Sequence, residues 1–154
     1  MKALDAAKIL INLSLDNQKP ITNLKLQKML YIAQAESDSK LIKEDFQAWD
    51  YGPVIPDVYR NSDVYRNFCI NGSTPITKRE EIPNNIDREK EKELAKIYNQ
   101  YKDADAWNMV RATHQKESAW SKHHVKGMRK VIKRDDIKAD KELLQEALLP
   151  KNKP

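Results

Sequence analysis

From Gln47 to Tyr59 the chain reads Gln-Ala-Trp-Asp-Tyr-Gly-Pro-Val-Ile-Pro-Asp-Val-Tyr, and no other stretch restricts its own backbone so tightly. Two large aromatics, Trp49 and Tyr51, stand directly before a Gly-Pro pair, and an Ile-Pro pair follows. Pro53 and Pro56 fix φ at their own positions, the residue before each is pushed toward extended geometry, and the rings need somewhere to bury their apolar faces. The segment therefore predicts a rigid corner that carries aromatic side chains, with Pro56 suited to the first turn of a helix.

The rest of the chain has mainly helical periodicity. Ala7, Leu10, Ile11 and Leu15 recur at helical spacing over 3–15, ending near Asp16 and Asn17. After Pro20-Ile21-Thr22, which offers a turn and a cap, a second helix is predicted over 24–35. It has Leu26, Met29, Leu30 and Ala33 on one side, and Lys25, Lys28 and Gln34 mostly on the other. Phe46 to Trp49 alternates as a short strand would, with Ile76 and Thr77 as its expected pairing partner. A third helix is expected from Pro56 through Val64 and Tyr65, closed by Asn71-Gly72-Ser73-Thr74-Pro75, and a solvated one from Asp87 to Tyr101 on Leu94, Ile97, Tyr98 and Tyr101. Asp103 or Asp105 can cap a helix bearing Trp107, Val110, Arg111 and His114, and Ser118 opens a turn around Trp120. Asp135 or Asp136 is expected to cap a last helix with Ile137, Leu143, Leu144 and Leu148, which Pro150 ends.

These elements predict a mainly α fold: a compact single-domain bundle of about six helices with at most one short β element. The domain is expected over 1–150, with 151–154 a loose tail. At 154 residues the chain can bury one core, and the one internal stretch that reads as a linker, Ile82-Pro83-Asn84-Asn85, is too short to separate two. Asp5 and Lys8 interrupt any leader-like apolar run, no later run approaches the roughly 20 apolar residues of a membrane span, and the single Cys69 cannot close an internal disulfide. A cytoplasmic, membrane-free protein is expected.

No residue set for chemistry assembles. His123 and His124 are adjacent and point different ways, His114 is remote in sequence, and Cys69 belongs to no Cys-x-x-Cys pair, so no metal site is expected. Cys69 lies between Phe68 and Ile70, the setting of an inert buried thiol. Gly52, Gly72 and Gly127, the three glycines, make no phosphate-binding loop, and Glu80-Glu81 and Asp135-Asp136 read as solvated or capping carboxylates. No cofactor and no enzymatic activity are predicted. The net charge of +5 and the basic stretch from Lys122 to Arg134 admit phosphate contacts, but no recognition helix, zinc finger or RNA-binding aromatic motif accompanies them. The first two helices superficially resemble a helix-turn-helix, yet Leu26, Met29, Leu30 and Tyr31 read as core. What remains is a shaped aromatic surface, with Trp107, His114 and Trp120 able to join the Trp49–Tyr51 corner either as mixed core or as interface anchors.

Three blocks carry a family likeness: Leu24-Lys25-Leu26-Gln27-Lys28-Met29-Leu30-Tyr31-Ile32-Ala33-Gln34, then Ala48-Trp49-Asp50-Tyr51-Gly52-Pro53-Val54-Ile55-Pro56-Asp57-Val58-Tyr59, then Thr113-His114 followed by Trp120. In this order they resemble the Panacea antitoxin domain, a group also called phage-associated GepA or SocA-like. Glu117-Ser118-Ala119-Trp120 departs from the acidic-Pro-Trp pattern of that family. The resemblance implies a cytoplasmic antitoxin that neutralises a cognate protein toxin by direct contact; in one relative the antitoxin delivers its toxin to a protease. Candidate partner contacts are Trp49, Tyr51, Pro53 and Val54, with His114 and Trp120 behind them. A DNA-binding transcriptional regulator and a protease adaptor are the alternatives. Neither toxin identity nor oligomeric state is written in the chain.

Overall fold

Every side of one helix is covered by protein, and that helix organises the rest. The computed structural model describes residues 1–50, 52–60 and 74–150. In it α1 (Ala3–Asp16) and α2 (Asn23–Glu36) precede strands β1 (Gln47–Trp49) and β2 (Gly52–Val54). Then come α3 (Pro56–Arg60), α4 (Arg88–Tyr101), α5 (Ala106–Thr113), α6 (Ala119–His123), β3 (Lys130–Val131), α7 (Arg134–Ala139) and α8 (Lys141–Leu148). The fold is mainly helical with one small sheet, as the periodicity predicts. No helix among the described residues is long and apolar enough to cross a membrane.

Helix α2 packs against α1, α4, α5, α7, α8 and β2. Its Leu26, Met29, Leu30, Tyr31 and Ile32 are all fully buried, each such side chain contributing on the order of 1.5–3 kcal/mol. Lys28 and Gln34, expected on a polar side, are buried as well, at 2% and 0% exposed. The two-sided reading of this helix is corrected for a physical reason: with neighbours all round, no side of it is left to solvent and its polar side chains are enclosed too, some of them with partners inside. Gln34 does so, its amide oxygen accepting from the Ile42 N–H at 2.9 Å and its amide nitrogen donating to the Ile42 carbonyl at 3.1 Å. Tyr31 donates its hydroxyl to Asp140 at 2.6 Å, and Asp140 also accepts the Ala119 N–H at the start of α6.

Side chains at the helix starts set several boundaries. Thr22 caps α2 through the Lys25 N–H, Asp87 caps α4, Asp105 caps α5 through the Asn108 N–H, and Ser118 caps α6 through the Ser121 N–H. The C-terminal region departs from expectation. It holds two helices that meet at Asp140, and neither Asp135 nor Asp136 caps: both sit in the first turn of α7, and Asp136 faces His123 instead. Leu144 and Ile137 are the side chains this pair buries most fully.

The sheet runs β2-β1-β3, antiparallel throughout. The pairing expected between Phe46–Trp49 and Ile76–Thr77 does not occur. Pro75 instead bridges Thr22, and the Ile76 N–H donates to the Ile21 carbonyl at 2.9 Å, pinning that loop to the entry of α2. β1 pairs with β2 across a two-residue turn and with β3 from the basic stretch, a long-range pairing that four alternating residues cannot encode. The latter half of the predicted third helix, Cys69 and Gly72 lie outside the described residues, as does the 151–154 tail.

Candidate partner-binding corner

The corner is a hairpin whose register pairs Gln47 with Val54, Ala48 with Pro53, and Trp49 with Gly52. Pro53 has no N–H to give a ladder, and it sits in β2, at the edge of the sheet, where that lack is tolerated. Gly52 is required twice over. Its φ is +126°, a backbone region disfavoured for residues with a side chain, and an added Cβ would lie 2.3 Å from Lys28 Nζ and 3.1 Å from His114 Cε1.

Beneath Gly52, therefore, sit a lysine and a histidine. Burial lowers the Lys28 ammonium to about 8. Burial also lowers His114, opposed by its bond to the Val110 carbonyl and reinforced by the nearby Lys28 charge. His114 Nδ1 lies 2.6 Å from the Val110 carbonyl oxygen and so carries the proton, which leaves Nε2 as the acceptor of a neutral ring.

A row of rings continues outward. His114 and Trp120 have centroids 4.2 Å apart, and Trp120 stacks on His124 at 4.4 Å and 15°. The Trp120 indole donates to the Trp49 carbonyl at 2.7 Å. His124 Nε2 meets Asp50 at 2.8 Å in the hairpin turn, and the Gly127 N–H reaches the same carboxylate oxygen at 3.0 Å. These two bonds hold the exposed Asp50 carboxyl below the usual carboxylate range, the histidine contributing more. Trp49 itself packs edge-on against Tyr59 at 4.8 Å, donates its indole N–H to Gln47 at 2.9 Å, and carries the Arg129 guanidinium 4.0 Å from its ring centroid. The neighbouring His123 turns the other way, 2.6 Å from Asp136 on α7.

The structure thus brings Trp49, His114 and Trp120 together, as the sequence suggested. Trp107 stays apart, 57% exposed on α5. Of the six candidate contacts, Trp49 and Val54 are 2% exposed and Pro53 is buried, so their side chains lie inside the corner. His114 and Trp120 are half-buried, and Tyr51 lies outside the described residues. Lys28, Asp50, His124 and Arg129 complete the arrangement and were not assigned to the corner from sequence, where His124 was weighed only as a metal ligand and, with Arg129, as part of the basic stretch. Lys28 was hidden by its charge, which argues for solvent unless the helix is known to be central. The three others lack any mutual spacing that would join them.

Residues 26–121, which include most of the α2 block, the hairpin and the ring row up to Trp120, match the family described as Antitoxin SocA-like, Panacea domain. The chain belongs to this family. An antitoxin SocA from Caulobacter vibrioides (strain NA1000 / CB15N) is 42% identical over 62 residues, a match that takes in 35% of this chain and 33% of that protein. The chain thus spans about a third of the length of this curated relative. No solved structure matches it.

Proposed function

We propose that this chain, acting as one unit over residues 1–150, is the antitoxin of a toxin–antitoxin pair and neutralises its cognate protein toxin by direct contact, without making or breaking a bond. The observation that carries the reading is the family match itself, which runs through the corner and covers its aromatic residues. Burial divides their work. Trp49, Pro53 and Val54 stiffen the corner from within, while the solvent-facing edges of the half-buried His114 and Trp120 are contact surface; Tyr51, outside the described residues, is kept as a contact on its place in the family block alone. A preorganised aromatic surface suits occlusion, because little conformational entropy is lost when a partner docks on it.

Co-expression with the product of the adjacent reading frame tests this. Growth should be arrested by that product alone and restored by this chain, with the two proteins co-purifying and the level of the neighbour unchanged. Persistent arrest with both proteins present at comparable levels would remove the antitoxin reading. Restored growth with loss of the neighbour would replace occlusion by delivery to a protease.

A further inference from the structure

Past Trp120 the chain runs along the sheet as a strap from Lys122 to Lys133, and it carries His124, the outermost ring of the row. The strap is fastened at four points. His124 and the Gly127 N–H hold Asp50, the Arg129 guanidinium lies over Trp49, and the Ile132 N–H donates to the Phe46 carbonyl at 2.8 Å. Within it the Met128 N–H closes a turn onto the Val125 carbonyl at 2.9 Å.

Its strand β3 ends the sheet, with β1 on one side and no described strand on the other. In an antiparallel ladder, residues alternate between pairs that exchange hydrogen bonds and pairs that do not. Phe46 faces Ile132 as a bonded pair, so Gln47 opposite Val131 is a non-bonded one, and the Val131 N–H and carbonyl point away from β1. The strap is also unusually apolar for a surface. Val125, Met128 and Val131 are 44%, 47% and 50% exposed, three of the four large exposed hydrophobics among the described residues. From Ser118 to Arg134 there is no carboxylate, and Lys122, Lys126, Arg129, Lys130 and Lys133 are all exposed.

We infer that the outer edge of β3 is a docking strand for an acidic, extended segment of a partner protein, which adds to the sheet beside Val131. This deepens the proposed function and rests on it, since the partner so received would be the toxin. Backbone pairing at Val131 sets the register, the exposed apolar side chains receive alternate residues, and the lysines select acidic sequence. The same lysines repel a second copy of this basic edge, the usual way an open strand is kept from pairing with itself. Nucleic acid fits less well, because Val125, Met128 and Val131 interrupt the cations with surface that phosphates cannot use. The strap begins just beyond the family-matched residues 26–121, a position suited to a surface particular to this chain.

A fluorescent peptide of alternating Glu and Val, titrated with the full chain, tests the edge directly. Binding should weaken as salt rises, and hydrogen exchange at the Val131 amide should slow in the complex. Val131→Pro removes the outward N–H and the exposed valine side chain without breaking a bond to β1, and it and the exposed double change Lys126→Glu/Lys130→Glu should each weaken binding at least about tenfold. The double variant keeps the test decisive if the proline disturbs folding, which circular dichroism would reveal. Equal binding by the folded variants, equal binding of a Lys-Val peptide, or displacement of the peptide by a short DNA duplex would overturn the inference. In the co-expression assay, rescue by the wild type that persists undiminished in the double variant would overturn it while leaving the antitoxin reading intact. Failure of the wild type to rescue would instead remove the antitoxin reading, and the peptide titration would then judge the edge alone.

Discussion

The Trp120 indole N–H donates to the backbone carbonyl of Trp49 at 2.7 Å, tying α6 to the end of β1 across 71 residues of chain. Trp120→Phe keeps a ring against His114 and His124 but leaves that carbonyl without its donor in a part-buried site. A loss of about 1–3 kcal/mol is expected, read as a lower urea midpoint at unchanged slope. An unchanged midpoint would mean that water replaces the indole at no cost.

Gly52→Ala should be among the most damaging single-methyl additions available. Two penalties combine: the +126° φ, and the 2.3 Å approach to Lys28 Nζ. Backbone strain of this kind costs roughly 1–3 kcal/mol. Because Nζ ends a flexible side chain, the steric part can relax while the backbone part cannot. Gly52→Ala combined with Lys28→Met should therefore recover only a fraction of the loss, and full recovery in the double variant would show that the backbone is unstrained.

Lys28 predicts a pH dependence with a definite sign. Its folded-state value of about 8 lies below the ordinary 10.5, so between these values the unfolded chain binds more protons than the folded one. Stability should rise with pH across that window, the cost of burying the charge being fully present below about pH 8. Tyr31, Tyr98 and Tyr101 are pushed above their ordinary 10 by burial first, so they reverse the slope beyond pH 10. His114, lowered from 6.5, acts only at more acid pH. Thermal unfolding between pH 8 and 10 should show a rising Tm for the wild type and a flatter profile for Lys28→Met. Parallel profiles would place the titration elsewhere.

Tyr31 and Ala119 both donate to Asp140, joining α2, α6 and the meeting point of α7 and α8. Tyr31→Phe removes a hydrogen bond to a charged acceptor and should cost about 1.5–3 kcal/mol. A cycle with Asp140→Asn should show coupling of about 0.5–3 kcal/mol, and additivity in that cycle would show that the hydroxyl and carboxylate act independently.

Local signals carried much of this fold into view. The apolar spacing of α1 and α4, the caps at Thr22 and Asp105, and the stiff corner around Gly52 and Pro53 all depend on neighbours within a few residues, whereas the hairpin pairing inside that corner and the cap that Ser118 gives α6 were not read from the sequence. Three features were hidden because each depends on what packs from far away. The buried face of α2 that holds Lys28 and Gln34 exists only because helices from the C-terminal half close over it. The partner of β1 lies more than 80 positions along, at Lys130 and Val131, inside a stretch whose charge argues against a strand. Asp136 reads as a cap until His123 is placed beside it. At the corner, the aromatic triplet of Trp49, His114 and Trp120 was legible from its residue types, and its burial was not.

Adjacent histidines that grip carboxylates on two different elements, Asp136 for His123 and Asp50 for His124, make chain length here as restrictive as chain chemistry. Adding or deleting one residue between His124 and Gly127 would leave both imidazoles in place, draw the Gly127 N–H off Asp50 and offset the following strand by one position, turning Ile132 outward. The fold should therefore accept new side chains at positions such as 125, 126 and 128 far more readily than a change in the number of residues between the two anchors.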